Sequence, residues 1–240
     1  MPNNYFQFKQ FTVQQENCAM KVCTDACLFG AYVADTILNE NLPIKNCLDI
    51  GTGTGLLSLM LAQKTTAQMD TVEIDTAAYQ QADKNFQQSS WKERISIFNI
   101  DITQFDSNKK YDCIISNPPF FEGDLKSSHR NKNAAKHDTA LTLQQLLQAV
   151  VMHLQEDGFF AVLLPSQRIS YCIDEAAKLN FYLSKKILVK QTAKHDYFRG
   201  MLFFEKQQGA YSSEDIIIKN TNGDYTDAFT LLLQDYYLYL

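Results

Sequence analysis

An open α/β sheet with helices on both faces is the fold class this sequence predicts, and three observations carry the prediction. Short apolar runs alternate with amphipathic segments from Cys47 to Leu179. Several of those runs deliver an acid or an amide at their carboxyl ends, where open α/β sheets bind ligands. The first run, Cys47-Leu48-Asp49-Ile50, feeds a turn with glycine at every second position, Gly51-Thr52-Gly53-Thr54-Gly55, and an amphipathic stretch from Leu56 follows at once. Strand, glycine turn and helix form a unit whose backbone bends sharply and lies close to a ligand with no Cβ in the way. The free N–H groups at the helix start favour electron-rich atoms. Alternating β and α segments followed by late antiparallel strands make one doubly wound domain over residues 1–240.

In chain order, Phe6, Phe8, Phe11 and Val13 interleave with polar residues, which predicts a short strand or a lid over a pocket. Lys21 to Ala34 reads as a turn and then a helix capped by Thr24 or Asp25. Asn41-Leu42-Pro43 breaks the chain before the glycine strand. Leu56–Gln63 is helical, Thr71–Asp75 is a strand ending in acids, and Thr76–Gln88 is a helix started by Asp75 or Thr76. Ile95–Ile100 is a strand that delivers Asp101, and Asp112–Ser116 is a fourth strand that runs into Asn117-Pro118-Pro119-Phe120. The polar stretch from there to Asp138 is too long for a simple connection, and such loops are usually functional or disordered. Thr142 caps a helix over Leu143–Leu154, Gly158–Leu164 is a buried strand, and Arg168–Leu179 is helical. Tyr182–Lys190 and Met201–Lys206 are a pair of strands, Ile216–Lys219 is a short edge strand, and Tyr225–Leu240 is an amphipathic helix rich in Leu and Tyr.

Composition removes several classes. With 45% hydrophobic and 20% charged residues, the 240-residue chain matches an ordinary globular protein. It has no apolar run of membrane-span length and no signal peptide before Phe6, and a cytoplasmic protein is expected. Six cysteines in so long a chain make no disulfide framework and read as reduced thiols. Cys18, Cys23 and Cys27 lack the second pair or the histidines that zinc requires, and Gly30 stands where an iron–sulfur motif needs its third cysteine. No metal is expected. The net charge of −5 does not announce a nucleic-acid binder, so local clusters of base count for more than the total.

A small set of positions carries the chemistry. Glu73 lies 22 residues beyond Gly51, where a carboxylate in such folds meets ribose hydroxyls. Asp101, at the end of the third strand, suits an exocyclic amine, as on adenine. In Asn117-Pro118-Pro119, two prolines remove two N–H donors and leave the Pro118 carbonyl uncompensated beside the Asn117 amide oxygen. Two such acceptors hold an –NH₂ group and turn its nitrogen lone pair towards an electrophile. Phe120 offers a face for base stacking, worth about 1–3 kcal/mol. From Lys126 to His137 there are four basic residues, Lys126, Arg130, Lys132 and Lys136, and no acids. These are candidate RNA phosphate ligands. Lys185, Lys186, Lys190, Lys194 and Arg199 form a second, looser basic set.

Read together, Asp49 to Gly55, Glu73, Asp101 and Asn117-Pro118-Pro119-Phe120 resemble the class I S-adenosylmethionine-dependent methyltransferases that modify amino nitrogens. Phe6-x-Phe8-Lys9-Gln10-Phe11, Cys18 to Val22 with Thr24-Asp25, Cys47 to Gln63 and the Tyr225–Leu240 tail extend the likeness over nearly the whole chain. The closer resemblance is to the bacterial family that makes N6-methyladenosine beside the anticodon of a valine tRNA. It implies a Rossmann-like, mostly parallel seven-stranded sheet with an antiparallel late strand. It also implies S-adenosylmethionine as cofactor, with S-adenosylhomocysteine as product, and tRNA as substrate. No membrane or obligatory protein partner is implied. The cofactor would be held by Lys21, Thr24, Asp25, Asp49, Gly51, Gly53, Gly55, Glu73, Asp101 and Asn117. Residues 1–40 would supply a cofactor-covering segment, with Lys21–Asp25 over the methionine end, and residues 120–138 a substrate loop. Phe120 replaces the usual Tyr of that family, and Cys23 its usual glycine. Adenine methylation of ribosomal RNA or DNA, and methylation of a glutamine side-chain amide in a protein, would use the same acceptors. An RNA-binding module with an idle cofactor fold is a further alternative.

Overall fold

The structure is a computed structural model that describes residues 3–16, 18, 20–119 and 141–240. A hairpin of β1 (Tyr5–Gln7) and β2 (Thr12–Gln14) precedes α1 (Thr24–Asn39). Then follow β3 (Asn46–Ile50), α2 (Leu56–Lys64), β4 (Gln68–Val72), α3 (Thr76–Gln87), β5 (Ile95–Phe98) and β6 (Tyr111–Ser116). After α4 (Leu143–His153) come β7 (Leu154–Pro165), α5 (Ile169–Ala177), β8 (Tyr182–Lys190), β9 (Tyr197–Glu205), β10 (Ser212–Ile217) and α6 (Asp227–Leu233).

The main sheet has the order β10-β8-β9-β7-β6-β3-β4-β5. Strands β3 to β7 pair in parallel, β9 runs antiparallel to both β7 and β8, and β10 pairs in parallel with β8. This is the mostly parallel, doubly wound sheet with an antiparallel late strand, carrying an eighth strand at the edge beyond the seven expected. The period-two alternation of the strands splits the core. Cys47, Cys113, Ile115, Phe159, Ala161, Leu163, Met201 and Phe203 point to one face, under α1, α2, α3 and α6. Leu48, Ile50, Ile114, Phe160, Val162, Leu164, Leu202 and Phe204 point to the other, under α4 and α5. Burial on both faces is why these strands read as near-continuous apolar runs.

Local chemistry sets the ends of the helices. Asp75 accepts from the Ala78 N–H at 2.8 Å to start α3. Thr142 and Gln145 form a reciprocal capping box at α4, worth about 1 kcal/mol. Helix α1 departs from expectation, since Cys23 occupies the cap position with no side-chain cap bond and Thr24 and Asp25 lie within the first turn. Helix α6 ends at Leu233, well short of the predicted Leu240. Beyond it the chain turns to dock. The Tyr236 hydroxyl donates to the Met60 carbonyl at 3.1 Å, Lys9 N donates to the Tyr236 carbonyl at 2.8 Å, and Phe8 bridges to Tyr237. The tail thus sits between the hairpin and α2. Among the described residues, no helix is long and apolar enough to cross a membrane.

Candidate cofactor and methyl-transfer site

Parallel register brings the predicted residues to one edge. Ile50 is opposite Val72 on one side and Ser116 on the other, so Gly51, Glu73 and Asn117 follow three adjacent strands at one level. With strands about 4.8 Å apart, Glu73 and Asn117 begin about 10 Å from each other, with the glycine turn between them. The Ser116 hydroxyl donates to the Ile50 carbonyl at 2.8 Å and joins the ends of β6 and β3.

The glycine turn is built on left-handed backbone. Gly51, Gly53 and Gly55 have φ of +72°, +57° and +82°. A Cβ at Gly51 or Gly53 would meet nothing within 4 Å, whereas at Gly55 it would lie 2.5 Å from the Phe86 ring. The first two leave open space over the turn, and the third lets α2 close against α3. Two acids brace the loop from below and beside. Asp49 is fully buried and accepts from Thr52 Oγ1 and Ser58 Oγ, each at 2.7 Å, while its Oδ1 has no partner. Burial raises its carboxyl to about 6 against those two hydrogen bonds, with the nearby Glu73 carboxylate adding to the rise. Glu73 accepts from Gly53 N through Oε2 and from Asp75 N through Oε1, both at 2.9 Å. Asn99 donates to the Glu73 carbonyl at 2.8 Å and fixes the backbone that carries this carboxylate.

The remaining residues occupy the flanks. Asp101 is partly buried, and its Oδ1 accepts from Thr103 N at 2.8 Å, so it caps a short 3-10 turn and keeps Oδ2 for a ligand. Ile74, beside Glu73, is 54% exposed and presents an apolar face that the sequence reading did not single out. Asn117 is half-buried and makes no hydrogen bond among the described residues, with Pro118 buried and Pro119 exposed. Lys21 and Thr24 are exposed. Asp25 is not free, because it accepts from Arg199 Nε at 2.6 Å. Burial alone would raise its carboxyl, but hydrogen bonds from Cys23 and Arg199 outweigh it and hold Asp25 below the usual range. Arg199 lies at the start of β9, opposite Pro165 at the end of β7, so this pair also sits at the carboxyl edge of the parallel strands. Three others of the looser basic set have partners within the chain: Lys185 pairs with Glu40, Lys186 with Tyr211, and Lys190 lies over the Tyr197 ring. Phe120, Lys126, Arg130, Lys132 and Lys136 fall outside the described residues.

The donor set fits the expected cofactor. Open space over Gly51 and Gly53, an unpartnered buried Asp49 oxygen and spare lone pairs on Glu73 and Asp101 suit a nucleoside bearing positive charge. Among the described residues no cluster of three His, Cys, Asp or Glu is arranged for a metal.

Comparison with known proteins agrees with this geometry. The model of the methyltransferase small domain family matches residues 19–170. A tRNA1(Val) (adenine(37)-N6)-methyltransferase of Dyadobacter fermentans is 41% identical over 244 residues, covering 99% of both chains. One from Escherichia fergusonii is 36% identical, covering 99% of this chain and 96% of its own. Among solved structures, a predicted O-methyltransferase, protein Atu636 from Agrobacterium tumefaciens, superposes with a TM-score of 0.67 at 15% identity, covering 88% of this chain and 96% of that one. The ribosomal protein L11 methylase of Lactobacillus delbrueckii subsp. bulgaricus gives 0.58 at 16%, covering 82% and 84%. With the glycine turn, Glu73 and Asn117 aligned on one sheet edge and identity running the length of the chain, the protein belongs to the family of tRNA1(Val) (adenine(37)-N6)-methyltransferases.

Proposed function

We propose that the protein methylates N6 of the adenosine at position 37, next to the anticodon, in a valine tRNA, with S-adenosylmethionine as donor. The observation that carries this reading is the alignment of Asn117-Pro118 beside the glycine turn, in a chain that matches its curated relatives end to end. When bound, the cofactor supplies a methyl carbon made electrophilic by its sulfonium.

Each residue then has a role. Gly51, Gly53 and Gly55 let the backbone approach the cofactor, and Asp49 braces the turn while adding negative potential beneath it. Glu73 accepts from the ribose hydroxyls, Ile74 lies against the base, and Asp101 accepts from its amine. Lys21, Thr24 and Asp25 belong to the segment that covers the methionine end. The Asn117 amide oxygen and the Pro118 carbonyl hold the two hydrogens of the substrate amine, with Pro119 fixing that carbonyl's direction. Alignment of nitrogen, methyl and sulfur supplies most of the acceleration. The amine loses its proton after methylation, so no general base is required. The adenine leaves its stack to enter the site, which costs less in an anticodon loop than in a duplex. Phe120 stacks on it, and Lys126, Arg130, Lys132 and Lys136 hold phosphates around it, within a substrate loop over 120–138. We place this work in the cytoplasm, in one domain over 1–240.

The test is transfer of labelled methyl from S-adenosylmethionine to bulk tRNA from a strain lacking this gene, with nucleoside mass spectrometry of the product. N6-methyladenosine at position 37 of one valine tRNA is expected. Label in ribosomal RNA, DNA or protein glutamine, with none in tRNA, would overturn the substrate.

A further inference from the structure

The N-terminal hairpin is joined to the cofactor site by two buried amides. Gln15, 5% exposed, follows β2, and its Oε1 accepts from Val22 N at 2.8 Å while its Nε2 donates to the Asn3 carbonyl at 3.0 Å. Asn85, 1% exposed, accepts from Gln14 N at 2.9 Å. Its Nδ2 donates to the Gln14 carbonyl at 2.9 Å and the Thr54 carbonyl at 2.8 Å. Thr54 is the residue between Gly53 and Gly55. A continuous path therefore runs from the glycine turn through Asn85 and the end of β2 to Val22.

Val22 lies within the stretch that crosses the carboxyl edge of the sheet. At one end of that stretch, the Cys18 thiol feels the Glu73 and Asp75 carboxylates; at the other, Cys23 bonds Asp25 beside Arg199. Among the described residues from Cys18 to Val22, the Val22 N–H is the group hydrogen-bonded to the body of the protein. Buried amides are costly unless satisfied; Gln15 is spent on the backbone of Val22 and Asn3, outside regular structure, and Asn85 ties the Thr54 carbonyl of the glycine turn to the Gln14 backbone at the end of β2. We infer that Gln15 and Asn85 are positioning residues for the cofactor, fastening the covering segment Lys21–Asp25 and the glycine turn to the same hairpin strand. The inference rests on the reading of this edge as an S-adenosylmethionine site, and it is independent of which RNA is methylated.

Losing the Val22 anchor leaves the segment ordered for only part of the time, and apparent affinity falls by the fraction ordered. An ordered fraction of about one tenth raises the dissociation constant about tenfold. The variants separate this from a loss of packing. Gln15→Leu fills the space and removes the acceptor, whereas Gln15→Glu keeps an acceptor for Val22 N–H and loses the bond to the Asn3 carbonyl. Calorimetry with S-adenosylmethionine, on full-length protein without RNA, should show Gln15→Leu about tenfold weaker and Gln15→Glu within about threefold of wild type. Hydrogen exchange of the cofactor-free protein should show faster exchange at Val22 in Gln15→Leu alone. Asn85→Asp keeps the acceptor for Gln14 N–H but sets an anionic oxygen against the Thr54 and Gln14 carbonyls, and it too should bind the cofactor more weakly. The proposal is overturned if Gln15→Leu binds within threefold of wild type, or if Gln15→Glu loses as much. Wild-type protein that fails to bind S-adenosylmethionine would overturn the cofactor reading together with the proposal. Normal binding without the contrast between variants overturns the proposal alone.

Discussion

Gly53→Ala and Gly55→Ala alter the same turn and should fail in opposite ways. Both residues have left-handed backbone, with φ of +57° and +82°, so each alanine carries a conformational cost of about 1–2 kcal/mol. At Gly53 that is the whole cost in the free protein, because a Cβ there meets nothing within 4 Å. At Gly55 the methyl would lie 2.5 Å from Cε1 and 2.7 Å from Cζ of Phe86, a fully buried ring. Forcing the two helices apart adds about 1–3 kcal/mol of overpacking. For a chain of this size 1 kcal/mol moves the melting temperature by roughly 2–4 °C. Gly55→Ala should therefore melt about 2–12 °C below Gly53→Ala. The order reverses in calorimetry with S-adenosylmethionine. The Gly53 methyl fills the space the cofactor would use and should weaken binding more than tenfold, while the Gly55 methyl points at Phe86. A Gly53→Ala protein that binds as wild type, or melts below Gly55→Ala, would refute the division of the turn into an open half and a packed half.

Three further outcomes follow from the site. Asn117→Ala should abolish methyl transfer and leave the cofactor dissociation constant within a few-fold of wild type, since the amide has no other hydrogen-bond partner among the described residues; equal loss of both would remove it from the substrate amine. Glu73→Ala deletes the carboxylate that accepts from Gly53 N and Asp75 N and should weaken cofactor binding on the order of 10–100-fold, about 1.4–2.8 kcal/mol; unchanged calorimetric affinity would displace Glu73 from the ribose. Asp49 has a folded carboxyl near 6 against 3.8 when free, so its protonated form is favoured by folding. Its contribution is present below about pH 4 and lost as pH rises through 6, an effect on the order of 3 kcal/mol. Urea titrations of Asp49→Asn between pH 4 and 7 should lack that decline relative to wild type, and parallel profiles would contradict the assignment.

How far the fold was legible depends on where each residue's partner lies. Strands β3, β6 and β7 are buried on both faces, and their apolar runs announce them without any knowledge of neighbours. Asp75 and Thr142 cap through groups three residues away, so their roles are visible in the local sequence. Asp25 looked like a similar cap, but its partner Arg199 lies 174 residues on and drew it into an ion pair. The Leu- and Tyr-rich tail has a helical pattern to the end, yet tertiary bonds to Lys9 and Met60 override it after Leu233. Strand β10 carries Ser212, Ser213, Glu214 and Asp215 exposed at the sheet edge, which reads as loop until β8 pairs with it. Glu73, the glycines and Asn117, which the fold brings to one edge, stand out in the sequence because strand ends and turn chemistry mark them. Gln15 and Asn85 do not. An amide in a polar stretch resembles any solvated one until the loop it serves is folded against it.

The docking of the tail on the hairpin has a consequence in time. Lys9 bonds the carbonyl of Gln234, 225 residues later in the chain. At about 5–20 residues per second, a ribosome exposes the hairpin roughly 10–45 s before the surface that secures it. Two strands of three residues each are too short to persist alone in water. During that interval the glycine turn and Glu73 can take shape, while the hairpin waits for Gln234 to Tyr237. Docking of the hairpin is thereby coupled to synthesis of Gln234 to Tyr237, and a ribosome stalled before them leaves the sheet without that clasp.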